Sequence, residues 1–274
     1  MRGFSNAGFG NPIGAQDLGA LKGLKYEGVR QDIPAVVSVV PIAEELVRAG
    51  MAADLVLARQ VWACPISVRQ VVAGTVALHL DDVYYEMGNE CDAGKNYMDP
   101  LAYARSFNAA EQAAREVNMA ARIITAGITS THRAGLDWLS TVIKTGLISQ
   151  DAIVGYHSYR DGDPQEPHEG FPSRSAEFLE LRRIAQGRRI ANTEIGWSDG
   201  SPKRTVWPCS WFARGLSEGQ VAQYLRKELE INRSFEAEFI VIFQLQDGTG
   251  RDEHFGIRRR DGTWKPSAFV LEAA

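Results

Sequence analysis

The feature that most constrains this chain is an alternation: short β-branched runs and amphipathic helical stretches follow one another from end to end. After a brief run at Arg2–Asn6, strands are expected at Lys25–Arg30, Asp54–Ala58, Asp82–Met87 and Arg122–Ala126. Three more follow at Ile153–His157, Arg189–Thr193 and Phe239–Phe243, which with Arg2–Asn6 as the first makes eight. Each run is short and flanked by Gly, Pro or charge, the pattern of buried parallel strands. The stretches between them read as helices. Ile42–Ala49 sets Ile42, Leu46 and Ala49 on one side and leaves Glu44, Glu45 and Arg48 for solvent. Asp99-Pro100 opens a helix over Pro100–Asn118, an N-cap followed by proline at the first helical position. Arg174–Ala185, Glu218–Arg233 and Lys265–Leu271 follow the same logic, with Val221, Tyr224, Leu225 and Leu229 as the apolar stripe of the second of these.

Spread over 274 residues, eight such units average about 34 residues each, the size of one strand–helix repeat. The total is close to the ~250 residues typical of a (β/α)8 barrel. The expected fold is therefore α/β, a single (β/α)8 TIM barrel. No linker, low-complexity segment or composition shift marks a boundary, so residues 1–274 are expected to form one domain. A doubly wound parallel sheet is the structural rival, because periodicity does not say whether the sheet closes.

Charge narrows the partners. The chain has 30 Lys+Arg against 34 Asp+Glu, a net charge of −4. Its longest basic run is Arg258-Arg259-Arg260, and a nucleic-acid partner is not expected. The three cysteines, Cys64, Cys91 and Cys209, are widely spaced and match no zinc pattern, so free thiols are expected. No apolar run approaches the roughly 18 residues of a membrane span. Met1–Asn6 carries one positive charge and no apolar h-region, so no signal peptide is read there. The location stays open between cytoplasmic, phage-borne and extracellular. The oligomeric state is not legible.

In such a barrel the reacting groups sit at the C-terminal ends of strands. The end of the fourth expected strand reads Gly88-Asn89-Glu90, and the end of the seventh reads Asn192-Thr193-Glu194. Two carboxylates would thus enter one bowl from different sides. Chemistry that needs two carboxylates in one cleft is glycoside hydrolysis, with one donating a proton and the other attacking or activating water. Glu86, four residues before Glu90, falls on the same face of its strand and is expected deeper in the barrel, partnering a buried arginine.

These residues also carry a family resemblance. Tyr85-Glu86-Met87-Gly88-Asn89-Glu90 resembles the signature that ends strand four in the clan A retaining glycoside hydrolases, and Thr193-Glu194 resembles their strand-seven signature. Gly28-Val29-Arg30 is similar to their strand-two arginine, and His157-Ser158-Tyr159 to their strand-six H-x-Y. Phe255-Gly256-Ile257, Asp261-Gly262 and Lys265-Pro266 resemble the approach to their last helix. The resemblance implies Glu90 as acid/base, Glu194 as nucleophile and Asn89 as the ligand of the sugar 2-hydroxyl. It implies further that Tyr159 hydrogen-bonds Glu194, that Arg30 helps keep Glu194 ionised, and that His157 lines the subsite floor. Arg30 reads equally well as the partner of Glu86. Neither a metal nor an organic cofactor is implied, and the implied partner is a β-linked carbohydrate; 274 residues leave little room for extra walls, so an open cleft and endo cutting are expected.

The chain departs from the family pattern at two places. Cys91 stands where a proline often follows the acid/base, and the eighth strand ends Phe243-Gln244-Leu245-Gln246 where a tryptophan platform is usual. Phe243 or Trp197 is expected to supply the sugar platform, and Trp62, Trp207 and Trp211 are candidate walls. Two other readings stand beside this one. One is a catalytically inactive barrel that binds sugars. The other, a nicotinamide-dependent oxidoreductase, would use Gly8-Phe9-Gly10-Asn11-Pro12-Ile13-Gly14 with Asp32 downstream, although the glycine spacing is off by one.

Overall fold

The computed structural model describes residues 1–7, 13–160, 162–168, 170–200, 215–248 and 254–272. The β-branched runs form eight strands: β1 (Arg2–Asn6), β2 (Gly28–Ile33), β3 (Ala52–Leu57), β4 (Val83–Asn89), β5 (Arg122–Gly127), β6 (Val154–His157), β7 (Ile190–Ile195) and β8 (Phe239–Ile242). They pair in parallel in the order β5-β4-β3-β2-β1-β8-β7-β6. The sheet then closes on itself. Thr125 N–H donates to Ile153 O and Ile153 N–H to Ile123 O, both at 2.9 Å, which joins β5 to the start of β6. The architecture is a (β/α)8 barrel, so the doubly wound alternative does not hold.

Among the described residues, eight helices of at least one turn return the chain between strands: α1 (Ala15–Gly23), α2 (Val39–Ala49), α3 (Arg59–Trp62), α4 (Pro65–Ala77), α5 (Pro100–Val117), α6 (Arg133–Lys144), α7 (Arg174–Ala185) and α8 (Glu218–Ser234). Asp99 caps α5 by accepting from the amides of Leu101 and Ala102 at 3.0 Å each. Ser217 and Gln220 close a reciprocal capping box on α8. Among the described residues, no helix is long and apolar enough to cross a membrane.

Strand alternation divides the apolar residues into two cores. Phe4, Ala52, Tyr84, Ile124, Ile153, Ala191, Phe239 and Val241 point inward and plug the lower barrel. Phe4 and Phe239 stack at 4.6 Å, and Tyr84 meets Phe239 edge-on at 4.8 Å. Their neighbours in sequence, such as Val29, Leu55 and Ile240, point outward into the larger core beneath the helices. Above the aromatic plug the inward residues turn polar, and the site begins there.

Two expectations need correction. The second strand begins at Gly28 rather than Lys25, because residues 24–27 serve to end α1. Leu24 donates to Ala20 O, Lys25 to Lys22 O and Tyr26 to Leu21 O, with Lys25 in the left-handed region at φ 67°. The strand consequently runs on to Ile33 and carries Asp32 within it. The helix expected over Lys265–Leu271 is a single 3-10 turn, Pro266–Phe269. Lys265 itself is buried, with its ammonium donating to Asp199 at 2.6 Å and Asp247 at 2.7 Å.

Candidate active site

Arg30 is the hub of the polar layer. It rises from β2 with its side chain fully buried, and its donors are divided among three acceptors. Nε reaches Glu86 Oε2 at 2.8 Å, Nη1 reaches Glu194 Oε2 at 3.1 Å, and Nη2 reaches Asn89 Oδ1 at 2.8 Å. One guanidinium thus contacts both Glu86 and Glu194, the two partners left open in the sequence. Glu86 lies below Glu90, as its spacing implies, and its second oxygen accepts from the amide of Gly127 at 2.9 Å.

An arginine has no acceptor, so the Asn89 atom that faces it is the carbonyl oxygen. The amide nitrogen is then turned away from Arg30, with no acceptor among the described residues. Glu194 accepts a second hydrogen bond, from Tyr159 Oη to Oε1 at 2.6 Å. Burial and the adjacent Glu194 carboxylate both push the Tyr159 phenol well above its ordinary pKa, so it remains a donor.

Glu90 enters from the other side. It sits just past β4 in the left-handed region, φ 51°, a conformation that costs a non-glycine residue energy and is kept where surroundings impose it. Its amide donates to Gly127 O at 2.9 Å, and two residues later Asp92 Oδ1 accepts from Thr129 N at 2.8 Å and Thr129 Oγ1 at 2.9 Å. These bonds tie the loop after β4 to the end of β5. About a third of the Glu90 side chain is open to the bowl, against almost none of Glu194.

His157 lies between the two carboxylates. Nδ1 is 3.3 Å from Glu90 Oε1, and Nε2 is 3.5 Å from Glu194 Oε2. Burial opposes charge on this imidazole, but Glu194 and Glu90 outweigh it and raise its pKa above the ordinary value. Gly127 makes the room: a Cβ there would come within 2.4 Å of His157 Nε2 and 2.5 Å of Thr193 Oγ1.

Phe243, at the end of β8, stands edge-on to Tyr159 at 6.3 Å and to Phe255 at 5.8 Å. The structure thus brings Arg30, Asn89, Glu90, His157, Tyr159, Glu194 and Phe243 to one end of the barrel. It does not bring Trp197 there. That indole is buried in the core beneath the helices, donates to Gly162 O at 3.1 Å and packs against Tyr224 of α8 at 5.8 Å. Trp62 is likewise buried, against Tyr103 at 5.3 Å. Trp207 and Trp211 lie outside the described residues, as does Cys209.

Cys91, beside Glu90, is a buried free thiol that burial pushes up to about 12, and Cys64 is also free. Among the described residues, no three His, Cys, Asp or Glu side chains are grouped to hold a metal ion.

Two inward carboxylates escape the sequence reading. Asp54 of β3 lies under Arg30, Oδ2 to Nε 3.6 Å, and is fully buried. Burial, with Glu86 adding to it against the pull of Arg30, raises its pKa well above the carboxylate range. Asp32 of β2 sits on the same face as Arg30, one step nearer the mouth. In the oxidoreductase reading Asp32 would stand outside the carboxyl edge of an open sheet; here it lies inside a closed barrel. Of the glycine motif that reading needs, residues 8–12 lie outside the described residues. The signal for both acids is simple, since period two from Arg30, or from a strand starting at Ala52, points them inward.

No protein-family model matches this chain, and no curated protein sequence matches it. Solved structures do. The GH53 catalytic domain of Ignisphaera aggregans aligns with a TM-score of 0.65 at 14% identity, over 93% of this chain and 87% of that one. The glycoside hydrolase family 17 β-1,3-glucanosyltransferase of Rhizomucor miehei gives 0.65 at 14% identity, over 97% and 96% of the two chains. A β-mannanase of Streptomyces thermolilacinus, solved with mannohexaose, gives 0.64 at 14% identity, over 99% and 89%. At these identities the likeness is one of fold alone: the chain has a (β/α)8 barrel like those of these three enzymes.

Proposed function

We propose that this chain is a retaining glycoside hydrolase acting on β-linked poly- or oligosaccharide, with Glu194 as nucleophile and Glu90 as acid/base. The observation that carries the reading is the approach of Glu90 and Glu194, from β4 and β7, to the two nitrogens of a single imidazole. A pair of carboxyl groups flanking one bond is what glycosidic cleavage requires.

The environments of the two acids divide the labour. Glu194 is buried and receives donors from Arg30 and Tyr159. Such donors fix the direction of the carboxylate for attack on an anomeric carbon. Glu90 is more open and faces His157 rather than a guanidinium. It protonates the leaving oxygen in the first step and, as carboxylate, takes a proton from water in the second. Asn89, its carbonyl fixed by Arg30, offers N–H to the sugar 2-hydroxyl, a bond that strengthens as positive charge develops at the anomeric carbon. Phe243 offers an apolar edge beside Tyr159. The whole chain is read as one catalytic domain with an open cleft, which favours internal cutting.

Retention carries a geometric expectation, carboxyl groups roughly 5–5.5 Å apart in the working enzyme. The test of the function is reducing-end release from a panel of β-linked glucans, mannans, xylans and galactans, with Glu90→Gln and Glu194→Gln alongside. Release by the wild type and loss in both variants is expected. Oligosaccharide bound without any release would mark a binding-only barrel instead.

A further inference from the structure

The hydrolytic mechanism leaves one inward carboxylate unused. On β2 the outward residues Val29 and Ile33 join the core beneath the helices, so Gly28, Arg30 and Asp32 face inward. The register with β3 is unbroken from Gly28 to Ile33, and the alternation therefore carries through to Asp32. Its carboxylate lies nearer the mouth than Arg30 and is partly open to the bowl. Arg30, the cation beside it, gives its donors to Glu86, Glu194 and Asn89 instead. Among the described residues no hydrogen-bond donor or ion-pair partner meets Asp32. Burial, with Glu194 and Glu86 adding to it against the pull of Arg30, lifts Asp32 to about 6. At neutral pH a charged, largely desolvated carboxylate thus stands without a donor in the cleft that holds Glu194.

A half-buried carboxylate is costly unless something donates to it. Its two oxygens suit a pair of adjacent hydroxyl groups, each giving one O–H. The bowl is also rich in acid: Glu86 and Glu194 take donors of Arg30, Asp32 stands beside them, and Glu90 faces Glu194 across His157. A sugar bearing its own carboxylate would add like charge at short range.

We propose that Asp32 accepts hydrogen bonds from hydroxyl groups of the sugar whose anomeric carbon faces Glu194, and so restricts this subsite to neutral sugars against uronic acids. The inference rests on the glycosidase reading and names the substrate class of that same site.

The test compares neutral and uronate substrates of matched linkage: 4-nitrophenyl β-glucoside, β-mannoside and β-galactoside against the β-glucuronide, and mannotetraose against tetramannuronate. Wild type, Asp32→Asn and Asp32→Ala are assayed, with circular dichroism confirming that each variant folds. Wild type is expected to favour its best neutral substrate over the matching uronate at least about 100-fold in kcat/KM. Loss of charge-assisted bonds in Asp32→Ala is expected to lower the neutral kcat/KM about 10- to 100-fold. Asp32→Asn, which keeps an acceptor and removes the charge, is expected to narrow the neutral-to-uronate ratio at least about tenfold.

A wild type that prefers the uronate overturns the inference and leaves the hydrolase standing. So does an Asp32→Ala variant that keeps the neutral rate while Asp32→Asn keeps the ratio. Failure of the wild type to cleave any neutral or uronate substrate, together with no release from the polysaccharide panel, strikes the glycosidase reading itself and takes the inference with it.

Discussion

Among the described residues the barrel holds two buried arginine–carboxylate networks, and they are built on opposite principles. The outer one lies between α7, α8 and the loops after β5 and β6. Arg160 and Arg174 there meet Glu177 and Glu228: Arg160 Nη2 reaches Glu177 Oε1 at 2.8 Å, and Arg174 Nε reaches Glu228 Oε2 at 3.2 Å, with Arg174 also bound to Glu177. Thr131 donates to Glu177 at 2.8 Å and Asn232 to Glu228 at 3.1 Å, so two cations face two anions that are further hydrogen-bonded. The inner network sets the single guanidinium of Arg30 against Glu86, Asp54 and Glu194. A balanced, satisfied network holds a loop in place. An excess of buried acid costs stability and is kept where the charge is used in chemistry.

The largest effect should come from removing the charge that is used. Glu194→Gln is expected to lower kcat by at least about 10^4-fold while leaving the thermal transition within a few degrees of wild type. A variant with wild-type kcat would remove Glu194 from the reaction.

Breaking the outer network should do the reverse. Among the described residues, Arg174→Met leaves Glu228 buried without a cation and Glu177 with Arg160 alone, and chemical denaturation is expected to show a loss of about 3–5 kcal/mol. The folded fraction should keep its kcat within about tenfold, since Arg174 touches neither carboxylate of the site. Equal losses of stability from Arg174→Met and Arg30→Met, with equal losses of activity, would erase the distinction between the networks.

Relieving the inner network should stabilise the protein. Asp32 has a raised pKa in the fold, so between about pH 4 and pH 6 the folded state keeps a proton that the unfolded chain has released. Stability therefore falls as pH climbs through that window and stays reduced above it. Asp32→Asn is expected to gain roughly 2–3 kcal/mol at pH 7 and nothing below about pH 4, read from denaturation curves at both pH values. The same variant should lose activity, a trade common at functional sites. Destabilisation at pH 7 would show that Asp32 has a partner in the fold.

The smallest effect is expected at Trp197. Its indole packs beneath the helices, and Trp197→Phe removes one hydrogen bond to Gly162, a loss of about 1 kcal/mol. Activity should stay within about threefold. A much larger fall in kcat/KM would place the indole against substrate after all.

The residues of the candidate site were the more legible in the sequence. Glu90 and Glu194 fall at strand ends, where the barrel concentrates polar side chains, so position pointed to them, while the family resemblance pointed to Arg30 and Tyr159. Asp32 escaped for a local reason. The hydrophobic run that includes Tyr26 reads as strand, while the backbone uses residues 24–27 to close α1, which displaces β2 three residues along the chain. With β2 ending at Arg30, Asp32 falls in a loop; with it ending at Ile33, Asp32 points into the cleft. Trp197 misleads in the opposite sense. Its place after the seventh strand is that of a sugar platform, but its direction depends on packing against Tyr224, about which a single sequence is silent. The outer network was invisible for the same reason. Arg174, Glu177 and Glu228 read as the polar faces of helices, and only the docking of α7 on α8 buries them.

The account turns on Glu194 forming a bond to the sugar. Incubation with 2,4-dinitrophenyl 2-deoxy-2-fluoro-β-glucoside and the matching β-mannoside, followed by intact-mass measurement and peptide mapping, tests this directly. The account expects one fluoroglycosyl group per chain with at least one probe, carried on Glu194 and absent in Glu194→Gln. Turnover of natural substrate with inverted anomeric configuration and no adduct, or an adduct on another residue, would contradict it.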